Sequence, residues 1–368
     1  MMNQLNENNA TKPLMILVLG MIIGLSACLS EITLDVPRND KKQLVIRGVL
    51  KDGDTTGVTV SLSYLTDFVP SETPDYVVDA TVTLMDESGN QVSIPMQQEG
   101  LYQLAIPYGA YELEVTPGRS YQLSVVLSDG KRYESTLETL YDVPAPQSVY
   151  YLTEQRIIEN NAGNLVDQEY LKFLINTPLL NARGERSFLK WSFIGTYKFM
   201  ESSVDSPFPP NVHTCYISEA LDLEHVVAYN GEENSQDQLS NYFLLEEPFD
   251  YRFVDGFYLS IYQQSLSENA YNYWSSIGKV VDLSGNFFEA PPGKVRGNFK
   301  NVEDDTEEVY GYFYATQETI FRYHIPSARD RVEPYCPVIG DPDTAPGICF
   351  NCLSRPGSSL EKPDFWED

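Results

Sequence analysis

Ser120-Tyr121-Gln122-Leu123-Ser124-Val125-Val126-Leu127 is the stretch that decides the class of this chain. Tyr121, Leu123 and Val125 fall on every second position, so a strand would bury them on one face and leave Gln122 and Ser124 to the other. Val82 and Leu84 repeat the pattern upstream. Working outward, alternating runs occupy residues 44–50, 58–65, 80–85, 91–96, 100–106, 120–127 and 131–139. Asp52-Gly53, Ser88-Gly89-Asn90, Pro117-Gly118 and Ser128-Asp129-Gly130 separate them. Seven short strands broken by such turn residues predict an antiparallel sandwich of immunoglobulin-like type over residues 43–143.

Beyond it, Pro144 and Pro146 bracket a single residue and end the alternation, so a domain boundary is expected there. The second domain, residues 144–328, reads as β-rich, with strands at 168–177, 188–199, 257–263 and 319–325. One helix is predicted, over 265–283. Ser265 and Glu268 have the capping-box spacing, and Leu266, Ala270, Tyr273, Trp274, Ile277 and Val281 recur at steps of three and four. Gly285-Asn286 and Pro291-Pro292 stop it. A hairpin is expected next, with arms at 294–301 and 308–315 around an acidic turn. One face of its second arm carries Tyr310, Tyr312 and Tyr314. Residues 329–368 are rich in Pro, Gly and Cys and read as an irregular, cross-linked tail. The class is therefore all-β, a sandwich followed by a larger β-rich domain with one amphipathic helix.

Composition narrows the function. With 25 Lys and Arg against 53 Asp and Glu the net charge is −28, which disfavours nucleic acid as a partner. Three histidines, His213, His225 and His324, lie in unrelated segments, and no G-x-S-x-G elbow is present, so nothing points to nucleophilic catalysis. The acidic run 303–308 lacks the spaced Asp/Asn loop of a calcium site and reads as a solvated turn. No metal, cofactor or catalytic residue is expected. The 25 tyrosines and 17 phenylalanines favour β-structure and aromatic contact surfaces. Tyr310, Tyr312 and Tyr314 with Trp274 are the candidates for contact with a ligand or partner, core packing being the alternative.

The N-terminus carries an address. Residues 1–12 are polar with one Lys. Residues 14–25 are apolar apart from two glycines, and twelve residues fall short of the roughly 20 a membrane-spanning helix needs. Leu25-Ser26-Ala27-Cys28 follows and resembles a lipobox. Residues 1–27 are then a lipoprotein signal peptide and Cys28 the lipidated first residue of a tether, residues 28–42. Removing 27 of 368 residues leaves 341, about two domains' worth. The remaining cysteines, Cys215, Cys336, Cys349 and Cys352, are even in number in a chain routed to an oxidising compartment, and disulfides are favoured over zinc. All four are disulfide candidates with three pairings open; a bond from Cys336 to Cys349 or Cys352 would staple the tail, and Cys215 is the candidate for an odd, buried and unpaired thiol.

Lys294-Val295-Arg296-Gly297-Asn298-Phe299, then Val309-Tyr310-Gly311-Tyr312-Phe313-Tyr314-Ala315, resemble the closing signature of the Bacteroidota lipoproteins catalogued as domain of unknown function 4249. Leu44-Val45-Ile46-Arg47-Gly48, Asp79-Ala80-Thr81-Val82, Gly100-Leu101-Tyr102, Cys349-x-x-Cys352 and Lys362-Pro363-Asp364-Phe365-Trp366 follow that family's order. The resemblance implies no established activity. It implies gene neighbourhood with TonB-dependent outer-membrane receptors. The expectation is a lipid-anchored outer-membrane accessory protein, not an enzyme, that partners such a β-barrel in ligand uptake, with the cell surface slightly favoured over the periplasmic face. A structural or adhesive surface lipoprotein is the second reading and an envelope hydrolase the third.

Overall fold

The computed structural model describes residues 42–65, 75–160, 162–202, 212–283, 294–336 and 346–367. Cys28, the signal peptide, the tether up to residue 41 and the expected helix stops at Gly285-Asn286 and Pro291-Pro292 lie outside the described residues.

The chain is all-β with a single helix. Before the proline-rich link come β1 (Leu44–Asp52), β2 (Gly57–Tyr64), β3 (Thr81–Asp86), β4 (Gln91–Ile94), β5 (Met96–Gln98), β6 (Leu101–Ala105), β7 (Ser120–Val126), β8 (Arg132–Ser135) and β9 (Glu138–Thr139). After it come β10 (Ser148–Glu159), β11 (Leu165–Pro178), β12 (Phe188–Met200), β13 (Thr214–Leu221), β14 (Val227–Asn230), β15 (Gln238–Pro248) and β16 (Phe257–Leu266). Helix α1 (Glu268–Leu283), β17 (Phe299–Asn301), β18 (Phe313–Ile325) and β19 (Ser358–Ser359) complete the order.

One ten-stranded sheet runs through both halves in the order β19-β13-β12-β16-β18-β1-β2-β6-β5, with β14 on β12. A six-stranded sheet, β17-β8-β7-β3-β4 with β9 on β7, and a three-stranded sheet, β10-β11-β15, accompany it. The period of two in β18 explains the layering. Phe313 and Ala315 enter the core shared with the six-stranded sheet. Phe321, Tyr323 and Ile325, of the same parity, pack in the core shared with the three-stranded sheet. Tyr312 and Tyr314 have the opposite parity and lie against α1. Both small sheets therefore cover one face of β18, and the helix lies against the start of the other. Ile46, Leu50, Leu62 and Leu84 are completely buried, each worth roughly 1.5–3 kcal/mol of apolar burial.

The large sheet runs on across the break expected at residues 143/144, and the first core takes Phe299, Phe313 and Ala315 from beyond it. Gln43–Asp368 forms one compact unit, and β18 pairs with β1 on one side and β16 on the other. The link itself is packed: buried Gln263 donates to Pro144 O (2.6 Å) and to Thr177 Oγ1 (3.0 Å) and accepts from Trp191 Nε1 (2.8 Å).

Three expectations are corrected. The arms of the expected hairpin do not pair with each other. β17 pairs with β8 in the six-stranded sheet, while residues 310–317 run parallel to β1 in the large one. Each arm finds a distant ladder, and Asn298 ties the two where they diverge, donating to Phe313 O (2.8 Å) and accepting from Phe313 N (2.9 Å). The helix starts at Glu268, not residue 265, because Ser265 still belongs to the β16 ladder opposite Leu189. Ser267 is the cap, its Oγ accepting from Ala270 N (3.0 Å). Cys215 is paired: the bridges are Cys215–Cys352 and Cys336–Cys349. All four cysteines sit in the core of the second half. The tail is also held by aromatic packing, with Trp366 5.1 Å from Tyr216 and 5.0 Å from Tyr258, ring to ring.

Candidate binding groove

Helix α1 and the strand beneath it bring most of the aromatic candidates together. The ring of Tyr273 stacks on Tyr312 at 4.5 Å, and Trp274 meets Tyr314 edge-on at 5.8 Å. Tyr312 and Tyr314 are buried and Trp274 half-buried. The Lys190 ammonium lies 4.8 Å over the Trp274 ring, and burial pushes its pKa down to about 8 against the opposing pull of Glu318. Trp274 Nε1 is buried without a hydrogen-bond partner among the described residues. Tyr310 is not part of this stack: it is half-buried, and its hydroxyl donates to Glu308 Oε2 (3.2 Å).

Beneath the stack lies a carboxylate that the sequence did not single out. Glu138 of β9 is buried and accepts from Tyr312 Oη (2.5 Å) at one oxygen and from Ser267 Oγ (2.5 Å) at the other. Ser267 thus caps the helix with one hydrogen bond and holds Glu138 with another, and the negative charge sits at the positive end of α1. Burial pushes the Glu138 carboxyl up, opposed by the hydrogen bonds of Ser267, Tyr312 and Asn298. A raised acid contributes stability that is complete below the unfolded glutamate value, about 4.3, and lost as pH rises through the folded value. Glu138→Gln is therefore expected to gain on the wild type as pH rises from about 4 to 7. Urea midpoints at several pH values measure this, and a pH-independent difference would contradict it.

Along one flank of α1 a groove of 620 Å³ opens between the helix and residues 294–298, with Tyr312 and Thr136 also lining it. The helix contributes Asn269, Asn272, Ser276 and Lys279, spaced three, four and three apart and hence a single polar stripe. A second groove, 450 Å³, is lined by Tyr314, Lys51, Gln264 and Glu318. There Glu318 is already engaged, accepting from Lys51 Nζ (2.9 Å) and Gln264 Nε2 (2.7 Å). A smaller cavity of 270 Å³ lies near the bridges, with Phe199, Tyr251 and Tyr335 in its wall.

The histidines stand in three separate places. His213 Nδ1 is 3.0 Å from Glu201 Oε2, His225 contacts Asp222, which raises its pKa, and His324 stacks on Tyr258 at 4.5 Å. Glu307 in the acidic turn accepts from Lys131 Nζ (3.2 Å), Tyr133 Oη (3.0 Å) and Asn301 Nδ2 (2.6 Å), which gives its carboxylate a structural role. Among the described residues no group of three or more His, Cys, Asp and Glu side chains is placed to hold a metal ion. No described helix is long and apolar enough to cross a membrane.

No curated protein matches the chain. Among solved structures it is similar to a DUF4785 family protein from Legionella pneumophila subsp. pneumophila str. Philadelphia 1. The two share 12% identity at a TM-score of 0.19, over 60% of this chain and 52% of that one. The chain thus spans about half the length of that protein. Residues 30–322 match the family model described as Domain of unknown function (DUF4249). That span holds β1 to β17, the helix, the groove and the first ten residues of β18, so by its sequence the chain belongs to the DUF4249 family.

Proposed function

We propose that this protein is a lipid-anchored outer-membrane binding protein that serves a TonB-dependent β-barrel receptor as an accessory in ligand uptake. The observation that carries the reading is Leu25-Ser26-Ala27-Cys28 placed ahead of a compact β body that begins at Gln43. Acyl chains on Cys28, at about 0.8 kcal/mol per buried CH₂, would hold that body at the membrane. The −28 charge disfavours any grip on anionic lipid by the body itself. The groove supports recognition rather than catalysis, since its lining offers amides, hydroxyls, cations and stacked tyrosines. The receptor as partner rests on the family resemblance.

Replacing Cys28 by Ala is expected to move the protein from the membrane to the soluble fraction, and full membrane retention of the variant would overturn the anchor. Extraction in mild detergent followed by pull-down is expected to recover a large β-barrel protein. Recovery of the lipoprotein alone would overturn the partnership and favour the structural or adhesive reading.

A further inference from the structure

The groove between α1 and residues 294–298 has a charge that the rest of the chain does not lead one to expect. Acidic residues outnumber basic ones by 53 to 25 overall, yet among the described residues the charged side chains lining this groove are Lys279, Lys294 and Arg296, with no carboxylate among them. Lys294 is engaged at the surface by Glu308, 2.8 Å away. Lys279 and Arg296 are exposed, and neither makes a hydrogen bond or close ion pair with another described residue. In a chain so rich in carboxylates, Lys279 has no partner among the described residues and Arg296 feels only Glu308, which Lys294 already engages, and this points to an anion supplied from outside.

The remaining lining says what carries that anion. Asn269 and Asn272 present carboxamides that can donate and accept at once, the chemistry that suits vicinal hydroxyls. The edge of the Tyr273–Tyr312 stack supplies an apolar surface beside them. A volume of 620 Å³ lies within the range of small-molecule sites. A simple inorganic anion would leave most of that space and both amides unused.

We infer that this groove binds an anionic saccharide, its carboxylate or sulfate groups held by Lys279 and Arg296 and its hydroxyls by Asn269 and Asn272. The inference rests on the reading of the body as a binding module, and it is independent of the anchor and of the receptor. The positive groove also gives an otherwise repulsive surface one place where an acidic glycan can approach.

Calorimetry on the full chain in detergent separates the possibilities, with a uronate trisaccharide, a sulfated trisaccharide, neutral maltotriose and inorganic sulfate as probes. Binding of either acidic trisaccharide in preference to maltotriose, weakening as salt rises, is the expected result, and the better of the two identifies the anionic group. Lys279→Gln with Arg296→Gln should weaken that binding by about tenfold or more, while an unchanged circular dichroism spectrum and melting temperature show that the fold is intact. Neutral and acidic sugars binding equally, inorganic sulfate competing as well as the saccharide, no binding by either acidic probe, or wild-type affinity in a folded double variant would each overturn it. A Cys28→Ala protein, released from the membrane, should bind the same probe equally well, so failure of the anchor and failure of the groove are told apart.

Discussion

Replacing Gly311 with alanine is expected to destabilise the body by about 4 kcal/mol, summing backbone strain and overpacking at one position. Gly311 has φ +90°, and a Cβ there would fall 2.0 Å from Ile46 O. The obstacle is the backbone of β1 itself, which cannot rotate away as a side-chain tip could. Gly297 repeats the contact one layer out, where a Cβ would lie 1.9 Å from Gly311 O. Three backbone segments therefore stack at this point without side chains between them. Gly89 provides the control: its φ is +89°, but its Cβ would meet nothing within 4 Å, so Gly89→Ala carries the strain alone, about 1 kcal/mol. Urea denaturation of the two variants separates the effects. A Gly311→Ala loss no larger than that of Gly89→Ala would contradict the stacking account.

The second large effect belongs to the Cys215–Cys352 bridge. It closes a sequence separation of 137 residues, and Cys336–Cys349 one of 13. On chain-entropy grounds the long closure is worth about 5 kcal/mol and the short one about 3 kcal/mol. Cys215 and Cys352 are both buried in the core with no exposure, so replacing the pair by alanine also leaves a packing defect that adds to the loss. The Cys215→Ala/Cys352→Ala protein should therefore unfold at clearly lower denaturant than the Cys336→Ala/Cys349→Ala protein. Equal midpoints, or the reverse order, would refute the assignment of the tail's main constraint to Cys215. Mass spectrometry of non-reduced digests gives the pairing directly.

Period and turn chemistry made most strands of the first sandwich readable, because they bury one face and end at a Gly-, Pro- or Asp-bearing turn, whereas β5, exposed throughout, merged into the run at 91–96. Helix α1 was readable for the same reason, its apolar stripe having no competing period. Partners were a different matter. Residues 294–301 and 308–315 with an acidic turn between them satisfy every local rule for a hairpin, yet their ladders are made with β8 and β1, more than a hundred residues away. Ser265 met the capping-box pattern and lost it to the β16 ladder, while Ser267, in the same short stretch, took the cap. β10 escaped notice because its outer half, where Leu152 and Ile157 are exposed, buries neither face cleanly. The candidate site was half legible. Tyr312, Tyr314 and Trp274 were singled out and do come together, but as packed rings beneath a helix. Glu138 gave no signal, since a lone carboxylate in a strand reads as solvated. The polar stripe Asn269, Asn272, Ser276 and Lys279 looks in sequence like any wet helix face, and only the return of residues 294–298 makes it the wall of a groove.

The parallel pairing of β1 with β18 bears on how the chain is made. Gly48 lies opposite Phe313 and Asp52 opposite Gln317, so the first strand of the body, already paired with β2, acquires its second neighbour only after some 265 further residues have been synthesised. Until then Phe299, Phe313 and Ala315 are missing from the first core. The N-terminal sandwich cannot close as a finished unit while the rest of the chain is emerging. Closure of so long a loop is slow. A chain that completes its first core last keeps that core open until synthesis of the body is nearly finished.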